Sequence, residues 1–207
     1  MYASMQSGFR GWARSGPRDG SKSGSANETM GMRMGMGQLS ENKNESRDEL
    51  LAEAVRLREA GRKEEARERL VALSAQWPQD AEVAYQTAWV HDTLGLEAEA
   101  VPYYERALAG KGLSDEDRRG ALLGLGSTYR ILGRYAEAVA TLGDATAEFP
   151  DDGALKTFLA MALYNTGRTH DAMELLLTLL AATTRDPEIA GYRPAIEEYA
   201  KDLHATV

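Results

Sequence analysis

Residues 122–138 read LLGLGSTYRILGRYAEA. Leu122, Leu125, Tyr129 and Leu132 recur at i, i+3, i+7 and i+10, the spacing of one face of an α-helix. Gly133 follows, and glycine takes the left-handed conformation that closes a helix at little cost. A second apolar series then runs through Tyr135, Ala138, Val139 and Leu142. The stretch therefore specifies two helices joined by a tight turn. Gly126 on the first helix and Ala138 on the second are small residues on facing sides, so the two backbones can approach closely.

The same arrangement recurs. Gly61-Arg-Lys-Glu-Glu-Ala66, Gly95-Leu-Glu-Ala-Glu-Ala100, Gly133-Arg-Tyr-Ala-Glu-Ala138 and Gly167-Arg-Thr-His-Asp-Ala172 share a glycine, three variable residues, an acid and an alanine. The glycines stand 34, 38 and 34 residues apart, and so do the alanines. Seven residues before each glycine lies another small residue: Ala54, Ala88, Gly126 and Ala160. Pro78 and Pro150 punctuate the exits of the first and third units, with Gly112 and Thr184 in the other two. The extra four residues of the second spacing fall in Ala109-Gly-Lys-Gly-Leu-Ser114, a longer turn. Ser114-Asp-Glu-Asp117 then reads as a capping box that opens the next helix. The pattern predicts helices over about 47–60, 63–76, 80–94, 97–109, 115–132, 135–148, 153–166 and 169–183, with a last helix near 192–204 and no strand.

Four tandem units of this kind resemble the tetratricopeptide repeat, a 34-residue helix–turn–helix with the pattern W-x2-L-G-x2-Y…A-x3-F…P. The third unit matches best, with Leu122, Leu125, Gly126, Tyr129, Ala138, Leu142, Ala145 and Pro150 at the pattern positions. The second carries Ala84, Thr87, Ala88, His91, Ala100, Tyr104 and Ala107. The first carries Leu50, Ala54, Leu57, Ala66, Leu70, Leu73 and Pro78. The fourth carries Leu159, Ala160, Leu163, Ala172, Leu176 and Leu179. The ending from Asp186 through Leu203 also resembles small bacterial members that close with an extra helix. The fold implied is all-α: a right-handed α-solenoid of four helix pairs, at about 47–80, 81–114, 119–152 and 153–186, plus a capping helix at 192–204. In such an array each unit is stable only against its neighbours. The stripe Tyr192, Ile196, Tyr199 and Leu203 is expected to cover the fourth.

The resemblance implies that the first helix of each pair lines a concave groove for a peptide or a partner helix. The lining residues expected here are Tyr85, Trp89, Asp92, Ser127, Arg130, Phe158, Met161, Tyr164 and Asn165. Asp48, Leu51, Val55, Arg58, Glu82, Gln86, Leu123 and Thr157 are further candidates. Tyr85 and Trp89, one turn apart, are expected to meet the same ligand, although aromatic residues at helical spacing are as often core. The family's carboxylate clamp for chaperone C-termini uses Lys, Asn and Arg in the groove. Here the corresponding positions hold Leu51, Val55, Glu82, Gln86 and Gly120, so no clamp is expected.

Composition narrows the function. Of 207 residues none is cysteine and three are histidine, which removes thiolate chemistry and leaves little for a metal site. The net charge of −8 disfavours nucleic acid and anionic membranes. Residues 1–45 are expected to be a disordered Gly/Ser/Met-rich tail preceding a repeat domain at 46–207. The first 40 residues carry +3 and the remainder −11, which favours a neutral or basic partner. The tail lacks the apolar core of a secretory signal, and the run Met30–Met36 reads as incidental or as an internal start site. No long apolar span exists, and a cytoplasmic location is the default expectation. His91 is expected to pack between helices; His170 and His204 lack partners at metal-binding spacing. No phosphate loop or nucleophile elbow occurs. The sequence therefore reads as a non-enzymatic adaptor without cofactor or metal. The alternatives are a module that self-associates through its terminal helices and a nucleic-acid contact made by the tail alone.

Overall fold

The structure is a computed structural model that describes the backbone of residues 34–205 and side chains from residue 46 to 205. It divides into compact units at Glu49/Leu50. The described part of the first unit is helix, the beginning of α1(Met34–Glu59). The second unit holds the remainder of α1, paired with α2(Lys63–Gln76). The further pairs are α3(Ala81–Thr93)/α4(Glu97–Ala109), α5(Asp115–Ile131)/α6(Tyr135–Glu148) and α7(Gly153–Asn165)/α8(Thr169–Thr183). α9(Pro187–Gly191) and α10(Arg193–Lys201) follow, and no strand occurs among the described residues. Each helix from α2 to α7 packs on the next, and α3, α5 and α7 also touch in succession. The chain is therefore an α-solenoid of four helix pairs.

The turns within pairs show why the glycines recur. Gly61, Gly95, Gly133 and Gly167 have φ of 82°, 73°, 75° and 80°, a left-handed backbone that a side chain rarely adopts. The residue after each glycine then donates its N–H back into the finished helix: Arg62 to Leu57, Leu96 to His91, Arg134 to Tyr129 and Arg168 to Leu163. That bond satisfies a carbonyl the helix end would leave orphaned. The second helices have no side-chain cap at their starts. Instead Arg62, Arg134 and Arg168 each pair with the acid three residues on, namely Glu65, Glu137 and Asp171. The acid of the motif thus neutralises the arginine beside the turn and adds negative charge at a helix N-terminus. First helices are capped differently: Asp80, Ser114 and Asp152 accept the backbone N–H of Val83, Asp117 and Leu155.

The small residues lie where the pattern places them. Ala54, Ala88, Gly126 and Ala160 are buried, as are Ala66, Ala100, Ala138 and Ala172. A continuous core runs from α3 to α7, with separate clusters around α1–α3 and in the last pair. Three glycines inside α5 make room for large neighbours. A Cβ on Gly120, Gly124 or Gly126 would overlap Tyr85, Tyr104 or Leu142 respectively. Glycine in a helix interior costs about 1 kcal/mol relative to alanine; here it permits full burial of Tyr104 and Leu142.

Three expectations require correction. The helix expected to start near 47 begins at Met34, inside the stretch read as tail. Residues 38–48 contain no proline or glycine and include Gln38, Leu39, Glu41, Lys43 and Glu45, which carry a helix well. Disorder of residues 1–33, and any role of Met30–Arg33, lie outside the described residues. The end of the chain holds two helices where one was expected, because Asp186 caps a short turn of helix at Pro187. The third correction concerns the closing stripe. α10 packs on α8 through Ala200, and Arg193 Nε donates to the Ala181 carbonyl at 2.8 Å. Tyr192 and Tyr199 face away from the core, 69% and 66% exposed. A small residue fits against α8 more closely than a tyrosine, so the aromatic side turns outward. Leu176, expected in the core, is likewise exposed on α8.

Candidate functional site

The first helices α3, α5 and α7 carry the expected groove residues, and the structure sorts them by depth. Leu51, Tyr85 and Leu123 occupy equivalent positions and are buried. Tyr85 is 3% exposed, so it does not face a ligand beside Trp89 as the spacing suggested. Its ring lies under Trp89 at 5.7 Å between centroids, and against Tyr104 at 6.5 Å. The space for its hydroxyl end is opened by Gly120, across the α3–α5 contact. Helical spacing fixes a side of the helix, but the absent side chain on the adjacent helix decides how deep Tyr85 sinks.

Trp89 remains half-buried. The Arg58 guanidinium from α1 stacks over its ring at 3.5 Å and also donates to Gln86 Oε1. Burial lowers the Arg58 pKa to about 10, which leaves the group charged at neutral pH. Arg58, Trp89 and Tyr85 therefore form one stack, with Gln86 tied to it by the Arg58 hydrogen bond and the cation itself buried.

Asp92 is partly buried behind this stack. It accepts hydrogen bonds from Tyr104 Oη and Thr128 Oγ1, each at 3.3 Å. Burial outweighs both bonds and pushes its carboxyl up to about 6. Asp92 thus ties α3 to α4 and α5. Tyr104 and Thr128 were not anticipated as its partners. They lie 12 and 36 residues away, beyond any local pattern; the only hint is glycine at 120 and 124 in an otherwise strong helix.

The accessible part of the site lies further along. Ser127 and Arg130 on α5 are half-buried, as are Phe158 and Met161 on α7. Tyr164 is 66% exposed and Asn165 is exposed. Among the described residues Arg130 Nε, like Arg106 Nε, is buried without a hydrogen-bond acceptor, so it lies beneath the surface that a ligand would touch. Of the further candidates, Arg58 and Gln86 are buried, while Val55, Glu82 and Thr157 are half-buried and Asp48 is exposed. His91 packs between helices as expected. Its Nδ1 donates to the Thr87 carbonyl at 2.7 Å, and its ring stacks on Tyr103. Among the described residues no cluster of three His, Asp or Glu could hold a metal ion, and no helix is long and apolar enough to cross a membrane.

Comparison with known proteins agrees with this architecture. The model of the family described as tetratrico peptide repeat matches residues 81–203. The chain belongs to the tetratricopeptide repeat family. A search of curated proteins returns no match. Among solved structures, PilF of Pseudomonas aeruginosa is similar at 21% identity and a TM-score of 0.57, over 78% of this chain and 72% of that one. A double mutant of MamA from RS-1 is similar at 16% identity and a TM-score of 0.58, over 76% of this chain and 95% of that one. Both show the shared fold.

Proposed function

We propose that this chain is a protein–protein interaction module that holds a peptide or helix of a partner across α3, α5 and α7. The observation that carries the reading is the surface of α5 and α7. Tyr164 stands two-thirds exposed on α7, which also carries half-buried Met161 and Phe158, and half-buried Arg130 lies on the preceding first helix. Tyrosine and arginine dominate interface hot spots, and methionine adapts to varied partners. Trp89 lends a fixed aromatic edge, and Tyr85 supports it from beneath. The partner is neutral or basic, in keeping with the acidic repeat region. The module acts by binding rather than catalysis.

Tyr164→Ala combined with Met161→Ser tests this reading, because Tyr164 contributes little to the core. Proteins captured from native lysate by the wild-type chain should be lost on the double variant while its helical circular dichroism persists. An unchanged set of captured proteins would refute groove binding. Trp89→Ala is a poorer test, since removing that ring also uncovers Tyr85 and Arg58.

A further inference from the structure

We propose that the outward side of α10 is a homodimer interface, and that its occupant is α10 of a second copy in antiparallel orientation. Tyr192, Ala195, Ile196 and Tyr199 recur at i, i+3, i+4 and i+7. Leu122, Leu125, Gly126 and Tyr129 have the same spacing on α5, where Gly126 abuts Leu142 of α6. α10 therefore carries an apolar stripe with the spacing of the side of α5 that receives α6, with Ile196 where α5 has Gly126. Among the described residues nothing occupies it. With Glu188 and Ile189 these residues line an open groove of about 460 Å³ whose exposed lining is apolar.

A second copy fits this groove better than an unrelated helix, for two reasons. The stripe has the same order of sizes in both directions: aromatic, two smaller apolar residues, aromatic. An antiparallel copy sets Tyr192 opposite Tyr199 of the other chain and brings Ala195 and Ile196 of both chains to the two-fold axis. Such an isologous contact is the commonest way identical chains associate. Charge agrees with the same orientation. Glu188 lines the groove, and Lys201, which pairs with Glu198 of its own helix at 2.7 Å, stands in the last turn of α10. Antiparallel pairing brings Lys201 of each copy towards Glu188 of the other, whereas parallel pairing would oppose like charges. The contact is short, so the dimer should be weak, with dissociation on the order of 10–100 μM.

The chain contains no cysteine, so a single Ala195→Cys substitution near the axis reports contact between copies. Under mild oxidation the full chain should form a disulfide-linked dimer, and Ser114→Cys should not. Sedimentation equilibrium of the reduced wild type should show the dimer. Glu188→Lys should weaken it roughly tenfold, and adding Lys201→Glu should restore it, because both charges are exposed; helical circular dichroism checks that loss of the exposed Lys201–Glu198 pair leaves the fold in place. Three results would overturn the proposal: a wild-type monomer up to roughly 1 mM, equal cross-linking of both cysteine variants, or a dimer indifferent to the charge reversal. Tyr164→Ala should leave the dimer intact, so failure of this interface and failure of the groove reading remain distinguishable.

Discussion

Gly126→Ala adds one methyl group where two helices come closest. The new Cβ would overlap Leu142 Cγ and lie 2.7 Å from Cδ2 and 3.0 Å from Cδ1, against about 3.5–4.0 Å for a relaxed carbon contact. Leu142 is fully buried and cannot swing into solvent. Overpacking of this kind costs about 1–3 kcal/mol, offset by about 1 kcal/mol because alanine is the better helix former. The expected net change is a loss of about 1 kcal/mol, within a range of roughly 0–2. Gly143→Ala supplies the control. Gly143 lies in α6, and its added Cβ meets nothing within 4 Å. That variant should gain about 1 kcal/mol from helix propensity alone. The two variants share the propensity gain, so their difference isolates the overlap. Urea unfolding followed by far-ultraviolet circular dichroism measures both. Adding Gly126→Ala to a Leu142→Ala chain should cost nothing, since the overlap is gone. If Gly126→Ala is as stabilising as Gly143→Ala, close helix approach is not what this position requires.

Two further predictions concern the interior of the site. The native carboxyl of Asp92 titrates at about 6 against an ordinary value of 3.8, so the folded chain holds that proton more tightly than the unfolded chain. Its stabilising contribution is complete below about pH 4 and is lost as pH rises through 6, up to a ceiling of roughly 3 kcal/mol. Asp92→Asn should therefore raise Tm at pH 7.5 and change it little near pH 4; an equal shift at both pH values would refute the burial argument. Arg58→Lys keeps the charge but loses the planar stack on Trp89 and the fork that reaches Gln86. It should cost about 1–3 kcal/mol and shift tryptophan emission to the red; an unaltered Tm and spectrum would show that the stack is not holding the ring.

Much of the fold was legible because each instruction is local. Gly133 can take a positive φ at little cost where an apolar helical series stops, and Leu122 through Tyr129 mark one side of a helix by spacing alone. The groove was less legible. Tyr85, Trp89 and Asp92 share a helix face in the sequence, but the structure buries the first, stacks the second under Arg58 and ties the third to Tyr104 and Thr128. Those outcomes depend on residues 12 to 36 positions away. α10 shows the same limit, because its periodicity identified an apolar side but not which side α8 would take.

The sequence by itself determined the helices, their turns and the fourfold stacking, since backbone conformation and helical period involve residues only a few positions apart. Tertiary structure decided which side chains remain available to another molecule. Exposure is set by what neighbouring helices cover: Gly120 on α5 gives Tyr85 room to be buried, whereas α8 takes the Ala200 side of α10 and leaves Tyr192 and Tyr199 outside.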